Sequence, residues 1–295
     1  MIHNIVTKIR SFRSEWRSRQ LVAQYLKGGQ KPWSHGYNEF KDQFIRSCLT
    51  NENLLQIFAA SLPLPIDFGK YLDERVIEYP WLFSLLQGSV GNILDAGGAL
   101  NHSYIIEKIL AKTKDLTVIT LEPEACNFWQ QRVSYIYADL RKIPFRDNWF
   151  DNTVCISTIE HVGMDNSIYS SKTEFKKGCS EDYLLAAKEL WRVTTNGGQL
   201  FMTIPFGKYI DYRWYQQFSG IQVEKILNIL FPKKALLKYY QYQNGAWILS
   251  NQEDCKNCIG FNIHDTKYLN RLSDKDYDSD YAAASRAVVV MQLTK

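Results

Sequence analysis

The chain has 295 residues, of which 45% are hydrophobic and 22% are charged. This apolar content suffices for one large domain or two smaller ones, and it excludes an intrinsically disordered chain. No stretch has the roughly 18 to 20 consecutive apolar residues that a membrane-spanning helix needs, and the N-terminal residues do not follow the pattern of a secretory signal peptide.

The net charge of +4 is concentrated near the N-terminus, where residues 1–31 hold seven basic side chains and one acidic one. The remaining chain is close to neutral, which argues against a broad nucleic-acid-binding surface. Its six cysteines are irregularly spaced. They predict a protein of the reduced cytoplasm rather than a disulfide scaffold.

The basic N-terminal segment has the pattern of an amphipathic helix. Ile5, Ile9, Phe12 and Trp16 recur at helical spacing with basic residues between them, and a glycine pair at 28–29 ends the pattern. The basic face has three interpretations: docking on an anionic membrane surface, docking on a protein partner, or a solvated face of a helix packed on the core.

Strands and helices alternate after this segment. Helices are predicted over residues 39–60, 73–86, 181–193 and 221–230, and strands over 90–94, 116–121, 133–137, 152–157, 200–204, 238–243 and 287–293. The Asn196-Gly197-Gly198 sequence is expected to stop the third of these helices. The alternation predicts an α/β fold with a mostly parallel seven-stranded sheet and helices on both faces.

The predicted organisation has two parts. Residues 1–88 form an N-terminal helical extension or cap, and residues 89–295 form the sheet domain. Residues 208–295 are expected to complete the sheet and the side on which a second substrate binds.

Ligands of an open α/β sheet bind beyond the carboxyl ends of its strands, so the residues at those ends are the candidate site. Asp95 closes the first predicted strand, and Gly97-Gly98 allow a tight turn and close approach to a ligand. Glu122, after the second strand, can accept hydrogen bonds from the two hydroxyls of a ribose. Asp139, after the third strand, can accept from the exocyclic amine of adenine.

With these residues in place, the sequence resembles the class I S-adenosylmethionine-dependent methyltransferases, in the branch that serves small-molecule and cell-surface glycan biosynthesis. The matching residues are 93–98, 122, 138–145, 149–151, 157–163, 189–193, 197–198 and 201–205. The most specific block is Asp-Leu-x-x-x-Pro-Phe from Asp139, followed by Phe-Asp and Glu-His. The resemblance implies a Rossmann-like sheet and S-adenosylmethionine as the cofactor.

The resemblance also implies which residues bind the cofactor. These are Asp95, Ala96, Gly97, Gly98, Glu122, Asp139, Leu140, Ser157 and Thr158. One position departs from the family pattern, because Ala99 stands where the last glycine of the loop is usual. Ala99 restricts the backbone there and leaves the contacts of the loop open.

The implied reaction is methyl transfer by in-line displacement, in which the enzyme aligns donor and nucleophile. If the acceptor is a hydroxyl, a base must take its proton, and His161 after the fourth strand is the candidate catalytic residue. The alternative for His161 is a helix-start histidine bonded to backbone. Glu160 is expected to be structural.

Acceptor contacts are predicted in two segments. Arg75 and Tyr79 precede the first strand, whereas Tyr212, Arg213 and Trp214 follow the fifth, and aromatic faces with a guanidinium suit a sugar or a phenol. The alternatives are an internal ion pair at Arg75 and an aromatic loop that packs on its own domain.

The leading functional prediction is an enzyme that methylates an oxygen of a small molecule or of a sugar in a glycan, with no nucleic-acid partner. The alternatives are an N-methyltransferase acting on a small-molecule amine and a non-catalytic adenosyl-binding module. A nicotinamide-dependent oxidoreductase is disfavoured, because no tyrosine–lysine pair follows the fourth or fifth strand. The lone Cys255-x-x-Cys258 would need two further ligands to hold zinc, so no metal site is predicted.

Overall fold

The computed structural model describes the backbone of residues 2–14 and all atoms of residues 15–86, 90–167 and 178–295. The helices are α1 (Ile2–Lys27), α2 (Tyr37–Thr50), α3 (Glu52–Ala60), α4 (Arg75–Leu85), α5 (Ser103–Leu110), α6 (Tyr183–Val193), α7 (Gly220–Leu230) and the short α8 (Gln252–Cys255). The strands are β1 (Ile93–Ala96), β2 (Leu116–Thr120), β3 (Val133–Tyr137), β4 (Phe150–Ile156), β5 (Thr194–Pro205), β6 (Ile210–Asp211), β7 (Gln216–Gln217), β8 (Lys234–Gln243), β9 (Ala246–Ser250) and β10 (Ala287–Thr294).

Eight of these strands form one mixed sheet in the order β3-β2-β1-β4-β5-β10-β8-β9. Strands β1 to β5 are parallel, and the pairings of β10 with β5 and β8 and of β8 with β9 are antiparallel. The direction in which the strand order runs changes at β1, because β2 and β3 lie on one side of it and β4 and β5 on the other. In such sheets this is where ligands bind, outside the carboxyl ends of the strands.

Alternating side chains of the sheet enter two separate cores. Ile93 of β1 lies in the core beneath α2 to α5, whereas its neighbour Leu94 lies in the core shared with α6 and α7. Strands buried on both faces in this way read as continuous apolar runs. The predicted Rossmann-like α/β fold with helices on both faces is confirmed.

The N-terminal helices share the first core with the antiparallel edge of the sheet. Tyr25 of α1 is 1% exposed, and Phe58 of α3 contacts Tyr240 of β8 with ring centroids 5.6 Å apart. Trp247 of β9 donates its indole N–H to the carbonyl oxygen of Leu72 at 2.9 Å. These contacts attach the helices to the sheet. The boundary predicted at residues 88–89 lies outside the described residues, as do the side chains of Ile5, Ile9 and Phe12.

Several elements differ from the prediction, including β1, β5 and β8, whose first residues are displaced by three to six positions. The helix expected over 39–60 is two helices, because Asn51 adopts an extended conformation and its side chain caps α3 by accepting from the Leu54 N–H. The helix α6 ends at Val193 as predicted, but the Asn196-Gly197-Gly198 sequence does not stop it, because this sequence lies inside β5 where the register with β4 shifts. The sheet has eight strands instead of seven, since β9 was not predicted.

Among the described residues, no helix combines the length and the apolar character of a membrane span.

Candidate active site

A cavity of about 620 Å³ opens at the carboxyl ends of β1, β2 and β4. Its lining includes the following predicted residues: Arg75, Tyr79, Gly97, Gly98, Glu122, Asp139, Leu140, Ser157, Thr158 and His161. Two stretches of helical backbone border it, α4 and the N-terminal side of α5. The volume is within the range of about 300 to 1,000 Å³ that is usual for small-molecule and cofactor sites.

The loop after β1 has a conformation that requires its two glycines. Gly97 and Gly98 have φ angles of 105° and 75°, in the region that L-residues with side chains rarely adopt. A Cβ on Gly97 would lie 2.3 Å from atoms of Thr158, and one on Gly98 would lie 2.2 Å from Oε1 of Glu124. The loop therefore exposes bare backbone to the cavity. Ala99 is accommodated, and its carbonyl oxygen accepts a hydrogen bond from the Tyr79 hydroxyl at 2.6 Å.

Asp95 supports this loop from inside the protein. Its side chain is fully buried, and Oδ2 accepts from the Leu100 N–H at 2.9 Å, while Oδ1 has no hydrogen-bond partner in the described part of the chain. Burial raises the pKa of Asp95 to about 7, and the nearby Glu124 adds to the effect. Asp95 and Ala96 do not line the cavity, so direct contact of either side chain with a cofactor stays a prediction.

The wall formed by the segment after β2 carries a second carboxylate that the prediction missed. Glu122 and Glu124 both line the cavity. Glu124 accepts a hydrogen bond from Nδ2 of Asn101, whose Oδ1 in turn accepts from the Tyr135 hydroxyl at 2.7 Å. The chain Tyr135–Asn101–Glu124 thus orients one of the two acids. A second acid two residues after Glu122 was a visible signal in the sequence, but its partners are distant in the chain.

Asp139 lines the cavity, but its carboxylate is also engaged within the protein. Both oxygens accept from the guanidinium of Arg141, at 2.6 Å for the shortest contact, and Arg141 also pairs with Asp182 at 2.6 Å. The predicted contact of Asp139 with an adenine amine stays a prediction. Arg141 is part of the lining that the sequence analysis did not identify.

Beneath the cavity lies a buried polar network centred on Glu78. One of its oxygens accepts from Nη1 of Arg75 at 2.6 Å, and the other accepts from the hydroxyls of Ser157 and Thr203 at 2.5 Å each. Ser157 has a φ of +37° at the end of β4. Such strain in a residue with a side chain persists only where its surroundings fix it, and it is frequent at functional sites. The ion pair predicted as the alternative for Arg75 is present, and Arg75 still lines the cavity.

His161 lies in a short 3-10 turn after β4, at the wall of the cavity. Its Nδ1 is 2.9 Å from the carbonyl oxygen of Trp214. Because a carbonyl can only accept, Nδ1 carries the proton and Nε2 holds the lone pair of the neutral ring. Burial lowers the pKa of His161 to about 4. The ring also contacts Trp214 and Tyr215, with centroids 5.2 and 5.8 Å away.

The aromatic segment after β5 lies outside the lining of the cavity. The rings of Tyr212 and Tyr215 stack with centroids 4.6 Å apart, and Arg213 is exposed. The indole N–H of Trp214 is buried without a hydrogen-bond partner in the described ranges. This segment reaches the site through the contact of Trp214 with His161, and its contact with an acceptor stays a prediction.

In the part of the chain that the structure describes, no three His, Cys, Asp or Glu side chains are grouped closely enough to hold a metal ion.

Comparison with known proteins relates the central part of the chain, which provides most of the cavity lining, to a known family. Residues 95–202 match the family model described as "Methyltransferase domain". No curated protein sequence matches the chain.

Several solved structures are similar to the chain at low sequence identity. The N-methyltransferase NodS from Bradyrhizobium japonicum WM9, in complex with S-adenosyl-L-homocysteine, is 15% identical with a TM-score of 0.42, and the match covers 85% of this chain and 97% of NodS. The 1,6-didemethyltoxoflavin-N1-methyltransferase of Burkholderia thailandensis is 11% identical with a TM-score of 0.42, and the match covers 97% of this chain and 90% of that enzyme. The YcgJ protein of Bacillus subtilis is 12% identical with a TM-score of 0.42, over 71% of this chain and 94% of YcgJ.

Proposed function

We propose that this chain, whose residues 95–202 match a methyltransferase domain, is a class I methyltransferase that uses S-adenosylmethionine to methylate an oxygen atom of a small molecule or of a sugar in a glycan. The observation that carries the proposal is the cavity at the strand ends, where a bare glycine loop, two acids and a neutral histidine meet. We place the enzyme in the cytoplasm.

The residues of the cavity fit the cofactor. Its adenosyl part needs a hydrogen-bond acceptor for the ribose hydroxyls, for which we assign Glu122, and its amino-acid part needs backbone polar groups, which Gly97 and Gly98 leave accessible. The unpartnered Oδ1 of Asp95 and the carboxylate of Glu124 place acidic groups beside this loop. A ligand with a positive charge is favoured there.

S-adenosylmethionine, when bound, supplies a methyl group on a positively charged sulfonium, which is an activated leaving group. The protein then needs only to hold the acceptor in line and to exclude water, because proximity and orientation account for a large share of the rate. We assign Arg75 and Tyr79 of α4 to the acceptor side, since both side chains line the cavity.

The position of His161 supports an oxygen acceptor. Its Nδ1–H is fixed on the Trp214 carbonyl, so the other nitrogen has the lone pair that a general base requires. The carbonyl also stabilises the ring when it becomes positively charged. A hydroxyl loses its proton as the methyl group arrives, and a base that is neutral at physiological pH can take it.

A small-molecule amine is the second candidate acceptor, and a different observation favours it. Burial lowers the pKa of His161 to about 4, so His161 is a weak base for a hydroxyl. An unprotonated amine already has its own lone pair and needs no base. Removal of His161 therefore separates the two acceptors, because it should slow oxygen methylation and leave nitrogen methylation unaffected.

Calorimetry tests the cofactor assignment. The chain is expected to bind S-adenosylmethionine and S-adenosylhomocysteine and to give no binding heat with NAD. The matched variants are Glu122→Gln, which should weaken binding of both adenosyl compounds, and Glu107→Gln on the exposed surface of α5, which should not. Binding of NAD but not of the adenosyl compounds would reject the proposal.

The acceptor itself is found by turnover. Incubating the protein with methyl-labelled cofactor and fractionated cell extract should transfer label to a small molecule or glycan, whose oxygen or nitrogen linkage mass spectrometry then assigns. Cofactor binding without any transfer would indicate the non-catalytic binding module instead.

A further inference from the structure

The Cys255-x-x-Cys258 sequence forms a tight turn at the end of α8. The N–H of Cys258 donates to the carbonyl oxygen of Cys255 at 3.0 Å, across the two turn residues between them. The first and last Cα atoms of such a turn are less than about 7 Å apart. A disulfide requires about 4.4 to 6.8 Å between Cα atoms, so the backbone already has a geometry that a disulfide can use.

The two thiols have different surroundings. Cys255 is fully buried in the core that contains α6 and α7, whereas Cys258 is half-buried and its Sγ accepts a hydrogen bond from Nε2 of Gln241 at 3.5 Å. Hydrogen bonding from Cys255 lowers the pKa of the Cys258 thiol to about 7, and the charge of Arg286 contributes. Cys258 is thus the reactive partner, because the thiolate is the nucleophile in disulfide exchange.

We propose that Cys255 and Cys258 form a reversible disulfide when the protein meets a small-molecule disulfide such as oxidised glutathione. The Cys258 thiolate attacks one glutathione sulfur and releases the first glutathione thiolate. Cys255 then loses its proton and attacks the Cys258 sulfur, which releases the second glutathione. Two protein thiols are oxidised to one disulfide, and one glutathione disulfide is reduced to two thiols.

The turn also anchors the segment that carries the aromatic contacts of His161. The carbonyl oxygen of Cys258 accepts from the Lys208 N–H at 3.0 Å and from Nε2 of Gln217 at 2.8 Å. Oε1 of Gln217 accepts from the Gly260 N–H at 3.0 Å. A disulfide would fix the turn, so the amides of Lys208 and Gly260 should open less often in the oxidised protein.

Tryptic mapping of the full chain tests the proposal directly, because Lys256 lies between the two cysteines. Trypsin separates residues 239–256 from residues 257–267 in the reduced protein. After exposure to oxidised glutathione these two peptides should remain joined under non-reducing conditions and separate after reduction. Hydrogen exchange at Lys208 and Gly260 should be at least about threefold slower in the oxidised form.

Two variants make the result specific. Cys258→Ser should abolish the joined peptide, and Cys126→Ser, at an exposed cysteine, should leave it unchanged. Cys255→Ser should also abolish the joined peptide. If that variant fails to fold, because Cys255 is fully buried, Cys258→Ser at the half-buried position still tests the disulfide. Separate peptides after oxidation, glutathione retained on Cys258, or a link to another cysteine would overturn the disulfide, and unchanged exchange at Lys208 would overturn the anchoring.

Discussion

Replacing Asp95 with asparagine should stabilise the unliganded protein at alkaline pH. The Asp95 side chain is fully buried, and its Oδ2 accepts a hydrogen bond from the Leu100 N–H. Burial raises its pKa from an ordinary value of 3.8 to about 7. In the unfolded chain the carboxyl ionises near 3.8, so the unfolded state gains stability as pH rises until the folded carboxyl ionises as well.

The sign and size of the effect follow from this pKa difference. The contribution of Asp95 to the free energy of unfolding is largest below pH 3.8 and falls as pH rises to about 7, in total by about 4 kcal/mol. An asparagine has no such penalty, and its side-chain oxygen can still accept from Leu100. The stability advantage of Asp95→Asn should therefore grow by about 3 kcal/mol between pH 5 and pH 8.

Urea unfolding of both proteins at pH 5, 6.5 and 8 without cofactor measures this difference. Burial also raises the pKa of Glu74 and Glu160 and lowers that of His161, but these groups are common to both proteins and cancel in the comparison. In thermal unfolding of a chain of this length the same change would raise the relative melting temperature by about 5 °C. A difference that is constant from pH 5 to pH 8 would refute the reasoning.

Three further predictions concern function. His161→Ala should lower kcat about 100-fold without weakening cofactor binding, whereas His35→Ala at an exposed position should not change kcat. The kcat of the wild-type protein should stay level from pH 6 to pH 5, because the pKa of about 4 keeps the His161 ring neutral. Glu122→Ala should raise the Kd for S-adenosylmethionine about tenfold or more, as expected from loss of hydrogen bonds to ribose, and an unchanged Kd in calorimetry would remove Glu122 from the site. We propose that the exposed basic part of α1 contacts anionic membranes, so Arg17→Glu with Arg19→Glu should lower binding to phosphatidylserine vesicles severalfold; equal binding would reject that contact.

The strand ends could be predicted from sequence because each is a local signal. Strand β3 has the predicted bounds, Val133–Tyr137, since this β-branched and aromatic segment follows Arg132 and ends shortly before Asp139. The tight turn at the glycine pair after β1 could also be predicted, because only glycine adopts the φ angles found there without strain. Predictions of this kind need only neighbouring residues.

The partners of the site residues could not be predicted, because they are distant in the chain. Glu78 accepts from Thr203, 125 positions away, and His161 contacts the carbonyl of Trp214, 53 positions away. The role of the Asn196-Gly197-Gly198 sequence was misjudged for a similar reason. This sequence is typical of a helix stop, but pairing of Thr194 with Phe150 of β4 extends β5 back to Thr194.

The buried acids near the cavity differ in the number of hydrogen-bond donors that contact their carboxyl groups. This number determines whether a carboxyl ionises when a cation binds nearby. Glu78 accepts from Arg75 and two hydroxyls, so its charge is compensated within the protein. Asp95 has one donor, and Oε2 of Glu160 has none in the described part of the chain. A buried carboxyl without compensating donors is stable only when neutral. These carboxyls avoid the cost of unpaired charge while they are neutral, and a sulfonium or ammonium group bound in the cavity would favour ionisation of Asp95 and Glu160 with release of protons.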